Sequence, residues 1–171
     1  MSAPGWLLRV LGGLPSPLKS VGTQAPTPLT EARVSAFLNA RGYRFTTDED
    51  GDLTGTWDGH RFWFLLLGDD EEVIQVRGRW SRSLPLEQRA AAILALNDWN
   101  RERIWPKAYL REEGGSLAVY SEVSADLEPG VTDAQLDQIL ACGLGTGVQL
   151  FAGLDSLLPG EGPVPDDIPD N

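Results

Sequence analysis

The chain has 171 residues, 42% of them hydrophobic and 23% charged, with one cysteine, one histidine and a net charge of −11. That is the composition of one globular domain with enough apolar surface for its own core. It excludes an intramolecular disulfide and a His/Cys zinc cluster, and the acidity argues against general nucleic-acid binding, which needs a Lys/Arg footprint on the phosphates.

Residues 1–27 are rich in Pro, Gly, Ser and Thr and lack a sustained period, so they are expected to form a flexible N-terminal tail. One apolar knot interrupts it, Trp6-Leu7-Leu8-Arg9-Val10-Leu11. The knot is too short for a signal sequence or a membrane span, and it reads either as a segment packed on the domain's own surface or as a docking peptide for a partner. Cytoplasmic localisation without membrane insertion is the expectation, and a lone thiol suits it.

Residues 28–158 carry the periodic pattern of one α+β domain. A first helix is predicted from Thr30 to Arg41, with Thr30 as N-cap, Leu29 stapled to Val34, and Gly42 as the stop. Val34, Phe37, Leu38 and Arg41 share one side of it, leaving Glu31, Arg33 and Ser35 to water. From Tyr43 the period falls to 2 and a four-strand meander follows: Tyr43–Thr47, Leu53–Trp57, His60–Leu67 after a tight Asp58-Gly59 turn, and Val73–Trp80. In the third strand Phe62, Phe64 and Leu66 oppose Trp63, Leu65 and Leu67, so both sheet faces are expected to be covered, one by helices and the other by more helices or another subunit. Arg77, Arg79 and Arg82 read as a solvated cationic face, with a phosphate or carboxylate site as the alternative.

The second helix is predicted from Leu86 to Arg103, with Ala92, Ile93, Leu96, Trp99, Asn100 and Arg103 inward; Pro106 forbids its continuation. Asn97 and Asn100, with Trp99 between them, form a candidate structural latch that satisfies backbone groups where the chain turns into the next strand. A hairpin, Lys107–Glu112 with Leu117–Val123, crosses Glu113-Gly114-Gly115. Pro129-Gly130 then opens a last helix with a Thr132/Gln135 capping box. Its inner face reads Leu136, Ile139, Leu140, Gly143, Gly147, Leu150, Phe151, Leu154 and Leu158. Gly143 and Gly147 share that face and mark either a close helix packing or a ligand pocket beneath the helix. Residues 159–171 are acidic and proline-rich, an expected disordered tail.

The motifs for chemistry are weak. Asp48-Glu49-Asp50-Gly51-Asp52 lacks EF-hand spacing and reads as a solvated turn. His60 beside Asp58 lacks a nucleophile, Cys142 lies within an apolar helix, and Gly143-Leu144-Gly145-Thr146-Gly147 follows no strand and has no phosphate-binding lysine. No catalytic residue, metal or cofactor is expected.

In the order helix, four strands, helix, two strands, helix, and in the words Leu38-Asn39-Ala40-Arg41-Gly42-Tyr43, Leu96-Asn97-Asp98-Trp99-Asn100, Pro106-Lys107-Ala108-Tyr109-Leu110 and Gly130-Val131-Thr132, the chain resembles the bacterial YbjN-domain family of sensory transduction regulators. The resemblance implies an antiparallel sheet packed by helices, similar to type III secretion chaperones, which commonly pair as homodimers, and it carries over no catalytic residues. The expected function is therefore a non-enzymatic regulatory or chaperone-like domain that binds a protein partner or its own twin through a surface around Trp57, Trp63 and Trp80. The alternative is a small-molecule-binding module with its pocket at Gly143 and Gly147.

Overall fold

The computed structural model describes residues 24–157. The expectations for the two tails, including the Trp6–Leu11 knot and Leu158, lie outside the described residues. Helix α1 spans Glu31–Ala40, followed by strands β1 (Thr46–Thr47), β2 (Leu53–Trp57), β3 (His60–Leu67) and β4 (Val73–Leu84). A short 3-10 turn at Leu86–Gln88 leads into α2 (Arg89–Glu102), and then come β5 (Lys107–Glu113), β6 (Ser116–Asp126) and α3 (Asp133–Leu157). The strands form one antiparallel sheet in the order β1-β2-β3-β4-β6-β5.

Local chemistry accounts for the boundaries. Thr30 Oγ1 accepts from the Arg33 N–H, the N-cap bond that starts α1. Gly42 at φ +66 lets the chain leave α1, and Tyr43 N–H still donates to the Leu38 carbonyl. Tyr43 then packs edge-on between Phe37 and Trp57, so residues 43–45 complete the helix cap and do not lengthen β1, which is shorter than its sequence pattern suggests. Strand β4 runs four residues beyond Trp80, because a register shift between Arg79 and Ser83 lets it stay paired with β6. At the start of α3, Thr132 Oγ1 accepts from Gln135 N–H while Gln135 Oε1 accepts from Thr132 N–H, the reciprocal pair of a capping box.

The helices gather on one face of the sheet. Leu53, Phe62, Phe64, Ile74, Val76, Trp80, Leu117 and Val119 point into that layer and meet Val34 and Leu38 of α1 and Leu136, Leu140, Leu150 and Phe151 of α3. Arg41 and Asp137 tie α1 to one flank of α3. Arg33, expected in solvent, instead reaches across: its guanidinium donates to the Thr27, Pro28 and Val131 carbonyls and pairs with Asp133. The three carbonyls belong to the extended segments that lead into α1 and α3, and Asp133 opens α3, so one guanidinium ties the starts of the two helices together. Helix α2 lies toward the sheet edge at β5, so only Ala92, Leu96 and Trp99 pack against the core. Ile93, expected to face inward, is exposed for that reason.

Among the described residues no helix packs on the opposite sheet face, where cover was also expected. That face shows Trp63, Leu65, Gln75, Arg77, Arg79, Tyr109, Tyr120 and Glu122, with Trp63 and Arg77 paired across β3 and β4, and Tyr109 stacked on Tyr120 at 5.5 Å.

Candidate functional site

The three tryptophans expected to share a surface do not share one. Trp57 closes the hairpin opposite His60 and packs against Tyr43, Phe62 and Phe64 with ring centroids at 5.6, 5.9 and 5.6 Å. Trp80, on the same helix-side face, is 0% exposed, and its Nε1 donates to Asp155 at 3.0 Å. Trp80 is a core residue, and Trp57, partly buried, packs against the core. Trp63 alone faces the other way, half-buried beneath the Arg61 guanidinium. The alternation of β3 puts it there, since a two-residue turn at Asp58-Gly59 forces Trp57 and Trp63 onto opposite faces.

The cationic run is also divided. Arg79 Nε donates to Glu113 Oε2 at 3.1 Å, and the Tyr120 hydroxyl donates to the other oxygen of the same carboxylate at 2.6 Å. Burial, with that carboxylate beside it, pushes the Tyr120 phenol up to about 12. Arg77 donates to Gln75. Arg82 belongs to the helix side, over the Trp80 ring and 3.2 Å from Asp155.

His60 is buried against Phe151, with ring centroids 4.8 Å apart. Its Nδ1 accepts from the Ser81 N–H, and its Nε2 faces Asp155 at 3.9 Å, so the orienting carboxylate is not the neighbouring Asp58. Burial pushes the imidazole below its ordinary value despite the nearby Asp155 and Asp58 charges. A neutral, sealed ring of this kind is a packing element. The linkage has a definite sign: the unfolded chain binds this proton more readily, so stability is full above roughly pH 6.5 and falls as the pH drops toward the depressed native value. In urea titrations between pH 7.5 and 5.5, His60→Gln should lose part of that slope; an identical slope in both proteins would show that His60 does not supply it.

Gly143 and Gly147 lie where α3 crosses the sheet. A methyl group on Gly143 would stand 2.5 Å from Val76 Cβ, and one on Gly147 would stand 2.7 Å from the Phe62 ring and 2.8 Å from Ser121 Oγ. The helix backbone therefore rests directly on β4 and on the Phe62 and Ser121 side chains. No room for a ligand lies beneath it at these residues, which corrects the ligand-site alternative.

Two apolar clefts lie instead along the flank of α3 away from α1. One cleft of about 270 Å³ is lined by Trp105, Val123, Ala125, Leu127, Val131, Gln135, Ile139 and Cys142 among others. A second, of about 230 Å³, lies between α2 and the end of α3, lined by Leu84, Ala91, Ala92, Ala95, Leu96, Val119, Leu154 and Leu157 among others. Both share the floor that β6 provides. The small side chains of α2 hold the second cleft open, and Trp105, 52% exposed, forms a wall of the first beside Ile104 at 87%. Burial raises the Cys142 thiol above its usual value, so it stays protonated near neutral pH. Sequence reasoning missed Trp105 as a site residue; its only signal was an aromatic pinned between a helix end and a proline.

The groove wall is fixed by the segment that joins α2 to β5. Asn100 Nδ2 donates to the Ala108 carbonyl and its Oδ1 accepts from the Ala108 N–H, both at 2.9 Å, while Trp99 Nε1 donates to the Pro106 carbonyl at 3.2 Å. The Arg103 guanidinium lies 4.0 Å over the Trp99 ring. Asn97, expected to share this role, takes no part in these bonds.

The YbjN family model, described as a putative bacterial sensory transduction regulator, matches residues 30–156, which is most of the chain. The chain belongs to the YbjN family. Its solved neighbours agree with this fold. The crystal structure of YbjN from E. coli, described as a putative transcription regulator, superposes with a TM-score of 0.66 at 13% identity, covering 78% of this chain and 96% of that one. An uncharacterised protein from Methanothermobacter thermautotrophicus superposes at 0.54 with 13% identity, covering 75% and 99%. A chain of the HopA1-SchA chaperone-effector complex superposes at 0.42 with 15% identity, covering 73% and 99%, too low a similarity to carry an inference. No curated protein matches the chain. The α+β architecture implied by the sequence resemblance is the one the YbjN-family chain adopts, with its antiparallel sheet and one helical layer.

Proposed function

We propose that this YbjN-family chain is a non-enzymatic, cytoplasmic regulatory domain that holds an apolar segment of a polypeptide in the groove along the α2-side flank of α3. The observation that carries the reading is a pair of separate apolar clefts on this flank, one walled by Trp105 and Ile139 and the other by Leu154 and Leu157, each with few polar groups converging on it. A small-molecule site typically offers roughly 300–1,000 Å³ with a few polar groups aimed inward. Each of these clefts is smaller and less polar, and a pair of apolar clefts on one flank suits side chains presented by another chain.

The test places a photoreactive phenylalanine analogue at position 105, and separately at position 63 on the opposite sheet face, of the full chain in its native cells. One dominant polypeptide adduct at 105, lost in Ile139→Glu at an unchanged melting temperature, is the expected result. Adducts confined to position 63 would move the binding surface to the sheet.

A further inference from the structure

Gln24 Nε2 donates to Asp133 Oδ2 at 2.6 Å, Asp133 N–H donates back to Gln24 Oε1 at 3.1 Å, and Thr27 pairs with Val131 through backbone bonds of 3.2 and 2.9 Å. Residue 24 is thus anchored at the N-terminus of α3, and Val131 and Gln135, one on each side of Asp133, line the first cleft. From Asp133 to Cys142, at the cleft's far side, is nine residues of helix, roughly 14 Å.

The sequence that precedes Gln24 supplies an occupant of matching chemistry. Its one apolar cluster is Trp6-Leu7-Leu8-Arg9-Val10-Leu11, and residues 12–23 that join it to Gln24 are rich in Gly, Pro and Ser. A twelve-residue connection of such composition has a root-mean-square reach of roughly 20 Å and a limit of roughly 40 Å. Either length passes from Asp133 to the cleft, across one helix diameter of about 10 Å. A connection matched to its span places the cluster at an effective concentration in the millimolar range, well above that of a second copy in dilute solution. The other end of the chain is a poor competitor, since Glu161, Asp166, Asp167 and Asp170 make residues 159–171 acidic.

We propose that the Trp6–Leu11 segment of the same chain seats itself in the apolar cleft formed by Trp105, Val123, Ala125, Ile139 and Cys142, beside the point where the chain enters the domain. The inference rests on the groove being the binding surface, and adds its regulation: a partner's apolar segment must displace the chain's own.

Cys142, the chain's single cysteine, serves as the reporter because it lines the cleft. In purified full-length protein its modification by a small maleimide should be slow. Replacing Trp6, Leu7, Leu8, Val10 and Leu11 together with serine should speed it at least tenfold, and a synthetic peptide of residues 1–15 should slow it again. In the otherwise unaltered chain, a photoreactive phenylalanine analogue at position 7 should crosslink within one molecule to residues 105 or 135–142, with a yield independent of protein concentration. Unchanged labelling in the serine variant, or adducts mapping outside the cleft, overturns the proposal; a yield that rises with concentration assigns the cleft to a second copy and overturns the intramolecular form. No partner is present in these measurements. Their failure is therefore distinct from failure of the partner-binding reading, which the native-cell adducts test.

Discussion

Gly143→Ala and Gly147→Ala are expected to destabilise the domain by about 1–3 kcal/mol each, while Gly145→Ala, two residues from either, should stabilise it by up to about 1 kcal/mol. All three changes add the same methyl group to the same helix, and all three remove a glycine that costs the helix conformational entropy. The surroundings alone differ. At Gly143 the methyl meets Val76 Cβ, an atom that cannot move without its strand, and at Gly147 it meets the Phe62 ring and Ser121 Oγ. At Gly145 it meets nothing within 4 Å. Gly78, directly below, makes the same demand from the sheet, since a methyl there would also strike Phe62 and Ser121. The close crossing thus depends on small residues on both sides, and Phe62 occupies the space they leave. Urea denaturation of the three variants decides the matter by sign: a destabilised Gly145→Ala, or a stabilised Gly143→Ala, would contradict the direct packing of α3 on β4. The same packing explains why a helix long and apolar enough by composition to cross a bilayer sits here on a sheet.

What could be read from the sequence was what local chemistry controls. The Thr30 cap, the Asp58-Gly59 turn and the Thr132/Gln135 capping box each involve groups within a few residues, and their expected geometry is present. The close approach at Gly143 and Gly147 was legible as well, because two glycines on a helix face otherwise rich in leucine weaken the helix unless close packing offsets their cost. The tryptophan surface was misread although the signal existed: the two-residue turn pairs Trp57 with His60 and so separates Trp57 from Trp63. Periodicity assigns residues to alternate faces, but it does not say which face the helices cover. The groove itself was not legible. It depends on α2 standing over the sheet edge, apart from α3, so that Leu84, Ala92, Ala95 and Val119, distant in sequence, line one cleft.

Asn100→Ala should cost about 2–3 kcal/mol, because one substitution leaves both the Ala108 N–H and the Ala108 carbonyl without partners. Ala108 is itself buried, so water replaces those bonds poorly. Asn97→Ala, three residues earlier on the same helix, should stay within about 0.5 kcal/mol, since Asn97, exposed like Asn100, makes no bond to the Ala108 backbone. The contrast separates a local latch from a general effect of removing asparagine from a helix, where alanine is the better helix former. Hydrogen exchange gives the second readout. The Ala108 amide of Asn100→Ala should exchange faster than its neighbours in β5 even after allowing for the lower global stability, whereas uniform acceleration would show that the whole strand, and not the latch, had loosened. Function follows from the same geometry. Asn100 and Trp99 pin the segment that carries Ile104 and Trp105, so the wall of the candidate groove stands on a helix end fastened to the sheet by three hydrogen bonds, while the apolar side chains it presents remain available to whatever occupies the cleft.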